Sequence, residues 1–388
     1  MTSESHCMKT NANIPGRMTL SIMIVSCVCV FSLPFRSWAA SDTVRNSVSP
    51  NRRIAISVDP RVELIGIVFR LAGNVEYKQC RIESHATDID KYFGDFNGHP
   101  VVELARKLRE TRRMSCDGPM SLAIYIDRDF RPLKSFDQWP WGLDGRWRKA
   151  ETIEFLDRLK QFAAETRFDE FFKAHEPLYE KGLGSCRAIV AQHDLAGWFD
   201  EFFGIKKSDD LRMALSLVNG CSNYGLRVTT ETGMRKYAIV GMEFCDSHGD
   251  PVFDPRLLVL AAHEFCHSFT NPIVNKYMDQ LQPAAEKFYA AHASTMSSVG
   301  YKSWQTMMRE SAVRACVASF VRDSLEPGCP GLYRLYIERE ARFGFVWIEQ
   351  MDNLLKTYEA DRRKYPTFES FFPEFVTFFN KYSEESGN

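Results

Sequence analysis

The sequence predicts an α+β fold, a mixed β-sheet feeding one apolar helix with further long helices around it. Three observations predict it. Residues 213–218 (MALSLV), 224–229 (YGLRVT) and 237–244 (YAIVGMEF) are β-branched and apolar runs separated by Gly, Asn and Ser. Long helical patterns lie before and after them. Asp254-Pro255 then opens an apolar helical stretch straight after the strands, with the acid at a cap and the proline in the first turn.

Taken in order, residues 1–40 read as a signal peptide. Lys9 and Arg17 precede an uncharged apolar run at 19–35, and Ser37-Trp38-Ala39 places small residues as a cleavage site requires. Two other readings stay open. Ile24-Val25-Ser26-Cys27 loosely fits a lipoprotein box that would leave a lipid on Cys27, and the segment could remain as an uncleaved anchor. The protein is therefore expected to be exported, periplasmic or secreted, touching a membrane only through Cys27 or an uncleaved signal. Residues 41–210 are expected to form a mixed, largely helical region and 211–388 the region carrying the chemistry; one integrated domain is the other arrangement. Within the first region, 53–58 alternates as a short strand, and Asp59-Pro60 starts a helix that runs through Leu71. His99-Pro100 opens another helix, 119–127 (PMSLAIYID) reads as a strand, and 139–147 is a Trp/Gly/Pro-rich loop. Helical patterns then cover 151–172 and 178–203.

Composition narrows the function. The formal net charge is −1, so no basic field advertises a nucleic-acid partner. With 29 Phe, the core should be large and aromatic, and the Phe-rich stretch from Phe368 to Phe379 is expected to be a helix packed on it. Eight cysteines follow the N-terminal segment: Cys80, Cys116, Cys186, Cys221, Cys245, Cys266, Cys316 and Cys329. An even count in an exported chain suits disulfides, while buried thiols acting as small apolar groups fit equally well. No CxxC pair exists, which argues against a cysteine-based zinc ribbon.

The chemistry is carried by His263-Glu264-Phe265-Cys266-His267, an HExxH match inside the apolar helix, which Asn271-Pro272 is expected to end. Residues four apart on a helix face one way, so two imidazoles can reach one ion. Glu264 is rotated away from that line and is free to take a proton from a metal-bound water. A chance match should occur in roughly one such chain in seventy. A catalytic zinc takes three protein ligands and keeps one open position. Position 273 is Ile, so the third ligand is not a histidine six residues on. Glu310 lies on the helical pattern of 304–321, on a largely apolar face where an acid is costly unless paired or ligating. Arg314, one turn on, is placed to hold its carboxylate. Asp279 and Glu286 are the fallback ligands. Cys266 is read as a packing residue, His99 as polar surface, and Arg309 as a surface charge.

With these residues the sequence resembles the gluzincin group of zinc metallopeptidases, which place HExxH on one helix and a glutamate on a later one. It is more closely similar to an exported bacterial family of unassigned function whose members are described as candidate metallopeptidases. That resemblance lies in His263-Glu-Phe-Cys-His-Ser-Phe-Thr-Asn-Pro272, in Glu310-Ser-Ala-Val-Arg-Ala315 and more weakly in Ile56-Ser-Val-Asp-Pro-Arg-Val-Glu-Leu64. It implies a zincin-like fold, a Zn2+ held by His263, His267 and Glu310, Glu264 as general base, and a peptide or protein substrate. Gluzincins often add a Tyr or His to stabilise the oxyanion; Tyr333 and Tyr336 are preferred here over His292 and His248. One strand, 224–229 or 237–244, would pair with extended substrate. The alternative is a zincin-fold envelope protein that keeps the metal but acts on a non-peptide amide or only binds its ligand.

Overall fold

A computed structural model describes residues 54–205 and 210–385. The expected signal peptide, with Cys27 and Ser37 to Ala39, lies outside the described residues. Among those described, no helix is long and apolar enough to cross a membrane.

The chain opens with β1 (Ala55–Val58) and α1 (Pro60–Leu71), where the Asp59 carboxylate accepts from the Arg61 amide and Pro60 fills the first turn. Helices α2 (Glu83–Phe93), α3 (Pro100–Arg112) and α4 (Asp117–Ile124) follow. Next come α5 (Lys149–Glu165), α6 (Phe168–Ala174), α7 (Glu176–Val190) and α8 (Leu195–Phe203). Strands β2 (Asp210–Ser216), β3 (Tyr224–Thr230) and β4 (Gly233–Gly241) lead, through the short hairpin β5 (Phe244–Cys245) and β6 (Pro251–Val252), into α9 (Arg256–Lys276). The remainder is helical: α10 (Met278–Ser298), α11 (Trp304–Phe320), α12 (Leu332–Arg342), α13 (Ile348–Ala360) and α14 (Phe368–Glu385).

The α+β expectation holds. The main sheet has the order β1-β2-β4-β3, with β1, β2 and β4 parallel and β3 antiparallel at the edge. β1 belongs to this sheet although some 150 residues separate it from β2, so the sheet joins residues from both sides of position 210. Alternation along the strands builds two cores. Met213, Leu215, Ala238 and Val240 face one that α7–α14 complete. Ala214, Tyr237, Ile239 and Val228 face the other, completed by α1–α6. The Phe-rich terminus is α14, with Phe368, Phe371, Phe372, Phe375 and Phe379 buried in the first core.

Three local expectations are corrected. Residues 119–127 are not a strand: α4 covers Asp117–Ile124, with Asp117 and Pro119 in its first turn. Its face from Gly118 to Ile124 is buried all round, so no period distinguished helix from strand. Helix α9 does not end at Asn271-Pro272 but continues through Pro272 to Lys276. A proline there costs the hydrogen bond to the Ser268 carbonyl, yet both residues line an open cleft, so that carbonyl is not sealed in the core. The 151–172 pattern is broken at Arg167, which takes a left-handed conformation between α5 and α6.

Candidate metal centre

α9 and α11 pack side by side under the sheet and bring three donors together. His263 Nε2 lies 3.2 Å from His267 Nε2. Glu310 presents Oε2 at 3.5 Å from His263 Nε2 and Oε1 at 3.5 Å from His267 Nε2. Two donors held about 2.0–2.1 Å from one tetrahedral centre lie roughly 3.3–3.4 Å apart, so this triangle has the right size for one ion. Its chemistry agrees. Burial, then the neighbouring His267, holds His263 well below the usual imidazole range and hence neutral, the form that ligates. His267 Nδ1 faces Asn271 Oδ1 at 3.5 Å, leaving Nε2 turned inward. Two imidazole lone pairs and a carboxylate converging in a buried space repel one another unless a cation lies between them. The cluster of His263, His267 and Glu310 could hold a metal ion.

The carboxylate of Glu310 is held from behind. Arg314 Nη2 lies 3.3 Å from its Oε2, as the one-turn spacing predicted. Tyr301 donates its hydroxyl to the same oxygen at 3.2 Å and accepts from Arg314 at 2.7 Å. Arg314 is itself fixed by Glu340, which also takes Arg339. Sequence reasoning missed Tyr301: it precedes α11 in a loop, and no periodicity ties it to Glu310.

Glu264 is 4% exposed. Burial, and then the charge of Glu310, pushes its carboxyl well above the usual range, while the charge of Arg314 and then the Gly225 amide of β3 pull it back. A cation in the site would draw it down further. β3 approaches α9 closely at Gly225. A Cβ on Gly225 would overlap the Glu264 carbonyl oxygen and sit 2.8 Å from His267 Cβ. Ser268 also donates to the Leu226 carbonyl at 2.9 Å, pinning the two elements.

Beside the triad runs a cleft of about 230 Å³. Gly225, Leu226 and Arg227 of β3 form one side, His267, Ser268, Asn271 and Asn275 of α9 its floor, and Ser121, Ile124 and Tyr125 the opposite wall. Among the described residues β3 is paired only on its β4 side. β4 has β2 and β3 on either hand, so 237–244 cannot accept a further strand and only the 224–229 alternative is left.

Other expected site residues fall elsewhere. Tyr336 is buried and donates to the Arg314 carbonyl at 3.1 Å. Tyr333 donates to Asp352 at 2.7 Å, an acid already held by Ser319 and Arg322. Neither hydroxyl is directed to the triad. His292 is half-buried against the Trp347 ring, and His248 is exposed in the β5–β6 turn. Asp279 and Glu286 are exposed on α10. Cys266 is fully buried in contact with Cys316, as its packing role required. His99 caps α3, its Nδ1 accepting from the Val101 amide. The eight cysteines from Cys80 to Cys329 are all free thiols.

No curated protein and no solved structure matches the chain. A family model does, over residues 145–378, a span that takes in β2–β4, α9, α11 and all three donors. Covering more than half of its length, that match shows that the chain belongs to the family described as a domain of unknown function (DUF4932).

Proposed function

We propose that this protein is an exported zinc-dependent metallopeptidase of zincin-like, gluzincin type. The observation that carries the reading is the buried triangle of His263, His267 and Glu310, with Glu264 one residue along the same helix and an open strand edge beside it. The pair of imidazole nitrogens with one carboxylate favours zinc over the oxygen-seeking Mg2+ and Ca2+. When bound, zinc supplies Lewis acidity, polarising a carbonyl and easing deprotonation of water. Glu264 accepts the proton of the attacking water and returns it to the leaving nitrogen. β3 offers its free backbone groups to an extended peptide, aligning the scissile bond over α9. Arg314 and Tyr301 hold Glu310 in place throughout. The arginine and lysine ahead of the apolar 19–35 run, with Ser37 to Ala39 after it, support export.

The test is metal content by elemental mass spectrometry on the chain from Ser41 onward, beside hydrolysis of a peptide library. We expect about one zinc per chain, lost in His263→Ala and Glu310→Ala. Glu264→Gln should keep its zinc and lose about 10²–10⁴-fold in hydrolysis. Zinc retained in Glu310→Ala would overturn the ligand set. Full metal loading without cleavage of any peptide would favour a non-peptide amide or a pure binder.

A further inference from the structure

The polar floor of the cleft does not stop at the triad. His263, His267, Asn271 and Asn275 recur every four residues along α9, and the last three line the cleft. At its far end Arg309, the residue before Glu310 on α11, donates Nε–H to Asn275 Oδ1 at 2.8 Å. Arg309 is half-buried rather than the surface charge its sequence context suggested. Its neighbours make the contrast plain. Arg314 is taken by Glu340 and Glu310, Arg322 by Asp352 and Glu359, and Arg339 by Glu340. Among the described residues Arg309 forms no ion pair with a carboxylate; its partner is the Asn275 amide oxygen. A partly desolvated guanidinium with an oriented Nε and a free planar edge is suited to bidentate capture of a carboxylate.

We propose that Arg309, oriented by Asn275, is a subsite for a carboxylate of the peptide substrate. This rests on the metallopeptidase reading and narrows it to a substrate class: peptides bearing a negative charge at a set distance from the scissile bond. Asn275 stands eight residues beyond His267, about 12 Å along the helix axis. An extended chain covers that distance in roughly three to four residues. The charge is either the free C-terminus of a short peptide or an Asp or Glu side chain at that remove. The acids near the cleft, Asp117 and Asp144, are occupied by Arg146, so they do not repel such a ligand at full strength.

The experiment uses N-acetylated hexapeptides in matched sets: free carboxylate, C-terminal amide, and amide with one Glu moved through each position. Binding to the zinc-loaded Glu264→Gln protein is followed by fluorescence anisotropy, and kcat/KM is measured on wild type. We expect one charged set to bind about 10–100-fold tighter than the neutral amide. The free-acid arm and the Glu arm identify the source of the charge. Arg309→Gln should collapse the preference towards unity and Arg309→Lys should restore part of it, with zinc content checked in both. Equal binding of neutral and charged peptides by a protein carrying Arg309 would overturn the subsite, with no variant needed. A preference surviving in Arg309→Gln would do the same. Arg309-dependent binding with no cleavage by wild type would sink the peptidase reading and leave the subsite standing; no binding of any peptide would sink both.

Discussion

His263, His267 and Glu264 were legible because their relation is local: a four-residue spacing within one helix becomes one face by geometry alone. Glu310 was legible through the cost of an acid on an apolar face, and Arg314 through the one-turn spacing that pairs it with Glu310. Tyr301 was not, since its contact with Glu310 is made by a loop reaching back onto α11. Tyr333 and Tyr336 misled for the converse reason: their hydroxyls are committed to Asp352 and to the Arg314 carbonyl, partners that sequence spacing does not reveal. Glu63 shows the same limit and yields a prediction. It lies fully buried on α1, accepting from Ser216 and the Leu217 amide, and burial raises its carboxyl to about 7. A raised folded-state value favours the protonated form. Its contribution is therefore complete below about 4.5 and is lost as pH climbs through 7. His85 nearby, held down to about 3, acts in the opposite sense as pH falls. Comparing Glu63→Gln with wild type isolates Glu63. The variant should match wild type near pH 4.5 and exceed it by about 3 kcal/mol at pH 8, read from denaturant melts. Equal stability at both pH values would refute the assignment.

At the scale of elements, strands and helices with a clear period were placed well, and the failures have specific causes. α4 is apolar on every side and so offers no period. Pro272 is tolerated inside α9 because it falls on the cleft side. Which strand stands at the sheet edge depends on long-range pairing that no local pattern records, and the sheet order decides it for β3. The junction of β3 with α9 is where the elements are least forgiving. Gly225 has no space for a Cβ against the Glu264 carbonyl and His267 Cβ. Gly225→Ala should push the strand off the helix, destabilising the protein by about 1–3 kcal/mol. Peptide hydrolysis should fall further than that loss of folded protein accounts for. Thermal melts with activity per folded molecule test this. An alanine variant with wild-type activity would mean that the contact yields without moving Glu264.

For the whole molecule, the two-faced sheet explains why the chain does not divide simply. β1 and α1–α4 lie before residue 145, outside the family match, yet they supply a sheet strand, much of one core and a wall of the cleft. A fragment starting at residue 145 would bare the face that carries Ala214, Tyr237, Ile239 and Val228. We expect it to aggregate or to bind a hydrophobic dye without a cooperative melt, where the chain from Ser41 melts cooperatively. A well-folded, zinc-binding fragment would show the second core to be dispensable.

The track of polar side chains on α9 also has a shape. Four-residue steps over-rotate an α-helix by about 40° each, so from His263 to Asn275 the track turns through roughly 120° as it advances. It is a slow right-handed spiral, and Arg309 waits at its end. A straight rod cannot follow it, and a left-handed polyproline segment winds the other way. A β-strand carries a right-handed twist of its own, so an extended peptide is the ligand shape we expect this track to admit.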